Sequence, residues 1–157
     1  MSMNWIPAIP PTLEEWTERR NIYDELWLEQ IHPSGSRSNQ HVGSLKVELE
    51  RCFCSGAWVA RVALSAAIIE VHMSYLDALR GNARDEFISR LNIAKEWEAL
   101  RGKRNNILHG SGPADDGKRL DASRYRNQQS SLQADAQLAI ELALRVVLSN
   151  PWLPPSA

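Results

Sequence analysis

The stretch from Ser131 to Leu148 is apolar almost all the way round a helical wheel. Leu138, Ala139, Ile140, Leu142, Ala143, Leu144, Val146 and Val147 leave it no broad polar face. A helix of that kind is stable only when other elements enclose it, so this one must be central. A second stretch, Ala57 to Leu79, is rich in alanine and aliphatic residues and needs the same kind of cover. No segment alternates apolar and polar residues in the period-two manner of a strand, and no internal repeat is evident. The expectation is an all-α fold, a bundle of four to five helices.

The remaining elements follow from caps and breakers. Thr12 with Glu15 makes a capping box in front of Trp16, which predicts a first helix from Leu13 to about Gln30. Residues 32–40 read as a loop, with His32 and the nearby His41 solvated. A helical pattern resumes at Ser44 and runs to Leu79, broken at Ser55-Gly56, because serine favours helix starts and glycine weakens helix interiors. Within Ala57 to Leu79, Arg61, Ser65 and His72 fall within about 40° of each other and mark the wetter stripe, so His72 is expected at the surface. Gly81-Asn82 stops that helix. Another is predicted over Asp85 to Leu100, then a fresh turn or two over Lys103 to Leu108. Residues 111–129 are polar and glycine-bearing and read as a long loop, of the kind that is often functional.

The 157 residues fit one domain spanning 1–157, with extended arms at 1–11 and 150–157. A formal net charge of −1 lacks the basic excess usual in nucleic-acid coats and membrane-surface proteins, though it leaves room for a local basic patch. Cys52 and Cys54, ~200° apart on a helix, share neither a metal nor a disulfide in place and read as small core residues of a reducing compartment. The most apolar run, Val59 to Val71, is interrupted by Arg61 and Glu70 and is too short for a bilayer. With no secretory signal evident, a cytoplasmic protein without a membrane partner is expected. Trp16, Trp27, Trp58 and Trp97 fall on predicted helices and are expected to anchor the core, whereas Trp5 and Trp152 lie near the termini.

Familiar active-site signatures are missing. There is no GxxxxGK[ST], GxGxxG or GxSxG element, and no HExxH or CxxC pair, so neither a metal nor a cofactor is expected. One segment stands out, Arg104-Asn105-Asn106-Ile107-Leu108-His109, followed by Gly110. In a helix Asn105 and His109 are i and i+4 on one face. Arg104 lies ~100° from Asn105, with a stem long enough to reach the same mouth. Guanidinium offers paired donors to phosphate oxygens, and imidazole exchanges a proton near pH 7. A structural reading stands beside this one, in which Asn105 caps a helix, Arg104 makes an ion pair and His109 satisfies a turn.

Glu70 shares the apolar face of its helix with Val59, Ala63 and Ala66, and Asp77 falls within about 20° of it. A carboxylate on a buried face needs a cation, and Arg104 or another arginine near the motif is the expected partner. Basic residues gather around the motif (Arg101, Lys103, Arg104, Lys118, Arg119, Arg124, Arg126) against Asp115, Asp116 and Asp121. They make either a guide for a polyanion or a solvated loop surface.

Arg104 to His109 resembles the R-x4–6-H motif of HEPN domains, in the form with asparagine directly after arginine. The setting is similar as well: an apolar, alanine-rich helix bearing Glu70, then the motif, then a closing helix after a variable loop. The resemblance covers roughly Ser44 to Leu148. It implies a HEPN-like helical bundle and a metal-independent endoribonuclease in which a ribose 2′-hydroxyl attacks the adjacent phosphate. His109 would be the acid/base, Arg104 would stabilise charge on the phosphorane, and Asn105 would orient either one, with Glu70, Asp77, Lys103 and Asn106 in support. It further implies RNA as substrate, a homodimer that pairs two motifs, and a toxin or antiviral role with a cognate inhibitor protein. Members silenced by AMPylation carry a tyrosine two residues after the histidine, where this chain has Ser111. The alternatives are a catalytically silent HEPN-like module binding RNA, a nucleotide or a partner protein, and a plain helical dimerisation protein.

Overall fold

Thr12 and Glu15 start the first helix reciprocally. The Glu15 backbone N–H donates to Thr12 Oγ1 at 3.1 Å, and the Thr12 N–H donates to Glu15 Oε2 at 2.8 Å. The computed structural model describes residues 9–30, 40–109 and 128–150. Among these it has six helices and no strand: α1 (Leu13–Gln30), α2 (Gln40–Ser55), α3 (Trp58–Leu79), α4 (Ala83–Leu91), α5 (Ala94–His109) and α6 (Gln129–Leu148). The class is all-α, with six helices among the described residues where four or five were expected. His32, Trp5, Trp152, Ser111 and the basic residues Lys118, Arg119, Arg124 and Arg126 lie outside the described residues.

The core is built on α3 and α6, which pack on each other more extensively than any other pair. Ala136, Ile140, Ala143, Leu144, Val146, Val147 and Leu148 of α6 are almost fully buried, as its expected central place required, but Leu138 is 62% exposed, so the helix is not enclosed all round. α3 also carries α2, α4 and α5 against its sides, and α1 packs on α2 and α6. By length and composition α3 is apolar enough to cross a membrane, which corrects the expectation drawn from the shorter Val59–Val71 run. Its residues Ile68, Ile69, Met73 and Leu76 are buried against neighbouring helices, while Leu79 is half exposed.

Three helix boundaries differ from expectation. α2 begins at Gln40, so His41 is an exposed residue of its first turn rather than part of a loop. Gln129 already belongs to α6. The region after α3 divides at Asn92, not at Gly102. Asn92 takes a left-handed φ of 52° and its N–H bonds back to Ile88 and Ser89, so it closes α4. α5 then runs unbroken through Gly102, whose site is open space, to His109. The break at Ser55-Gly56 is present, with Gly56 at φ +73°.

The stripe of Arg61, Ser65 and His72 is the main correction. All three are buried, at 1%, 0% and 0% exposure. They are polar, but α3 is covered on so many sides that no wet face remains at this azimuth. The Arg61 guanidinium stacks 3.6 Å from the Phe53 ring centroid, and the His72 ring lies 6.0 Å from that of Phe87. Of the helical tryptophans, Trp58 and Trp97 are core residues while Trp16 and Trp27 are half-buried. Cys54 is buried, Cys52 is half-buried, and both are free thiols.

Candidate functional site

The motif occupies the last two turns of α5. Trp97 and Leu100 bury the inner face of this helix and Ile107 packs on the core two turns beyond Leu100, which fixes how the intervening residues point. At 100° per residue Arg104 lies within about 60° of all three, so its stem runs along the packed face toward α3. Its Nη1 donates to Glu70 Oε1 at 3.2 Å, joining α5 to α3. Both side chains keep partial access to water, 29% for Arg104 and 35% for Glu70. The carboxylate that the sequence marks as needing a cation therefore has one, and it is the motif arginine. Glu70 is half-buried rather than enclosed, so both groups remain within reach of a ligand.

Asn105 and His109 project from the other side of the helix and are exposed. Their i, i+4 spacing stacks them on one stripe. His109 is ~140° round the helix from Arg104. With its guanidinium drawn to Glu70, Arg104 does not swing onto that stripe, and no hydrogen bond joins Arg104, Asn105 and His109 among the described residues. One chain thus presents its guanidinium and its imidazole on separate flanks of the same helix end.

The supporting residues divide. Lys103 Nζ is paired with Asp135 Oδ1 of α6, and Arg145 of α6 pairs with Glu96 of α5 at 3.2 Å. The two bridges show that α5 and α6 run antiparallel, and they hold the motif helix to the central one. Lys103 is therefore a strap in this chain. Asn106 is half-buried on the flank between Lys103 and Asn105. Asp77 serves the next corner, where its Oδ1 accepts the Arg84 backbone N–H at 2.9 Å and so secures the first turn of α4. It lies two turns beyond Glu70, away from Arg104.

Two surface depressions occur elsewhere among the described residues. One lies along α1 (Leu13, Glu14, Thr17, Glu18, Asn21) and one between α1 and α2 (Tyr23, Asp24, Trp27, Gly43, Lys46, Val47, Glu50). Neither is lined by Arg104, Asn105 or His109. No cluster of three metal-ligating side chains occurs among the described residues. What sequence reasoning missed is the buried polar stripe of α3. The usable signal was Arg61 four residues before Ser65 on a helix otherwise suited to complete burial. Comparison with known family models, curated proteins and solved structures finds no match to this chain.

Proposed function

We propose that this chain is a metal-independent endoribonuclease of the HEPN type, acting as a homodimer on single-stranded RNA in the cytoplasm. The observation that carries the proposal is the Glu70–Arg104 pair. It holds a guanidinium at the surface with donors to spare, at the same helix end as an exposed Asn105–His109 stripe. Arg104 binds the non-bridging oxygens of the scissile phosphate. His109 takes the proton of the ribose 2′-hydroxyl as its oxygen forms a bond to phosphorus. The P–O5′ bond breaks, the departing oxygen takes up a proton, and the products are a 2′,3′-cyclic phosphate and a 5′-hydroxyl. Asn105, one turn before His109, orients the imidazole or the substrate.

The ~140° separation of Arg104 and His109 supports the dimer. A second copy whose α5 end faces the first would put a guanidinium from one chain beside an imidazole from the other. A toxin or antiviral role, with a cognate inhibitor protein, belongs to the same proposal. A second reading, a catalytically silent module that binds RNA, a nucleotide or a partner protein, is favoured by one observation: no described side chain hydrogen-bonds His109 to set its tautomer. Incubating single-stranded RNA in EDTA with wild type, His109→Ala and Arg104→Ala decides between them. The nuclease reading requires cleavage by wild type and its loss in both variants. Binding without cleavage by wild type would establish the silent module instead.

A further inference from the structure

On the opposite side of α3 from Glu70, and ~13.5 Å along its axis, lies a cationic cluster that the proposed nuclease does not use. Arg61 is buried to 1% exposure, and its Nε and Nη2 have no hydrogen-bond partner among the described residues. Ser65, one turn further, is fully buried with its hydroxyl also unpartnered. A second guanidinium stands close by. Arg19 of α1 lies 5.2 Å from the Trp58 ring centroid and Arg61 lies 5.0 Å from it. Arg19 reaches over the α2–α3 corner, donates to the Cys54 carbonyl at 3.1 Å, and keeps 21% of its side chain exposed.

Among the described residues Arg61 itself has no counter-charge. The acid paired with Arg19 is Glu15, one turn earlier on the same stripe of α1, at 3.7 Å and half exposed. No carboxylate among the described residues pairs with Arg61. Stacking on Phe53 and Trp58 offsets only part of the cost of desolvating a guanidinium, because a cation over a ring is a weaker partner than an anion. Burial, reinforced by the like charge of Arg19, pulls the Arg61 guanidinium down to about 9, so it is still charged at neutral pH. A buried charge with idle donors, a buried hydroxyl one turn away and a second cation at the solvent edge are the components of an oxyanion site.

We propose that Arg61, Ser65 and Arg19 form an anion-binding site under α1, taking a compact phosphate-type oxyanion that enters past Arg19 when that side chain leaves the Cys54 carbonyl. The anion accepts from the idle Arg61 nitrogens and from Arg19, and Ser65 donates its hydroxyl hydrogen. Occupancy clamps α1 onto the α2–α3 corner, since one ligand then bridges side chains of α1 and α3.

The test is thermal denaturation of the full chain in tens of millimolar inorganic phosphate against sodium chloride of equal ionic strength, at the same pH. Wild type should melt about 3 °C or more higher in phosphate, and Arg104→Ala should keep that rise. Arg19→Met, which removes only the partly exposed member, should lose it. Arg61→Met should lose the rise while melting no lower than wild type in chloride, because it replaces an unpaired buried charge with an apolar chain of similar length. If Arg61→Met does not fold, Arg19→Met and Ser65→Ala decide. An equal rise in Arg19→Met would mean that phosphate acts by general exclusion from the surface, and would overturn the proposal. So would the absence of a rise in wild type, or its loss in Arg104→Ala, which would place the anion at the motif.

Discussion

Acidification below about pH 6.5 should destabilise this protein through His72. The ring is fully buried on α3 and neither nitrogen has a hydrogen-bond partner among the described residues. Burial first, and then the positive charge of Lys46 on α2, pull its imidazole from 6.5 down to about 4. The ring of Phe87 on α4 lies 6.0 Å away and supplies no countercharge. The folded state thus holds His72 neutral, whereas the unfolded chain protonates it below about 6.5. Between those values the unfolded state binds more protons, so stability falls as pH falls. The contribution is fully present above 6.5 and exhausted below about 4. At about 1.4 kcal/mol per pH unit the whole window is worth about 3 kcal/mol, of which about 2 kcal/mol is lost by pH 5. Because the side chain is fully buried, solvent screening does not reduce this figure. Urea unfolding of wild type and His72→Leu between pH 7.5 and 5, followed by circular dichroism, isolates the effect. Glu15 and Glu96, both held below their ordinary range by hydrogen bonds, are present in both proteins and cancel. The difference in unfolding free energy should change by about 2 kcal/mol across that range. Parallel pH profiles for the two proteins would refute the reasoning.

Three further outcomes follow from particular contacts. A double-mutant cycle of Glu70→Leu and Arg104→Met should give a coupling of about 1 kcal/mol or less, because the pair is partly exposed. Glu70→Gln should lower RNA cleavage more than it lowers stability, and equal losses in kinetics and urea unfolding would make the pair purely structural. Gly56→Ala should cost about 1–2 kcal/mol, since the residue sits at φ +73° and an added Cβ would meet Arg19 Nη1 at 2.9 Å. A melting temperature within a degree of wild type would contradict that account.

How much was legible depended on whether a residue's neighbours in sequence were also its neighbours in space. The capping box at Thr12, the glycine break at position 56 and the central place of α6 are local, and the structure bears all three out, with Leu138 left exposed. Glu70 was legible because an acid on an apolar helical face needs a cation wherever the chain leads it. Asn92 was not, because a left-handed asparagine carries no mark as strong as glycine, while Gly102 looked like a boundary and is tolerated on an open helix surface. The stripe of Arg61, Ser65 and His72 failed for a tertiary reason. A helical wheel ranks faces by polarity, but the polar face of a helix enclosed on most sides is buried with the rest, and aromatic stacking from Phe53 and Trp58 takes the place that water would hold. The relation between Arg104 and His109 was half visible: their reach suggested a common mouth, and Glu70 draws the guanidinium to the other flank.

The most direct measurement is the chemistry of the RNA ends left in EDTA by wild type and by His109→Ala, read by mass spectrometry. Wild type should leave 2′,3′-cyclic phosphates and 5′-hydroxyls, and a substrate with a 2′-deoxyribose at the cut should resist it. Products ending in 3′-hydroxyls, or equal cutting by His109→Ala, would contradict the assignment of Arg104 and His109 as the reacting pair.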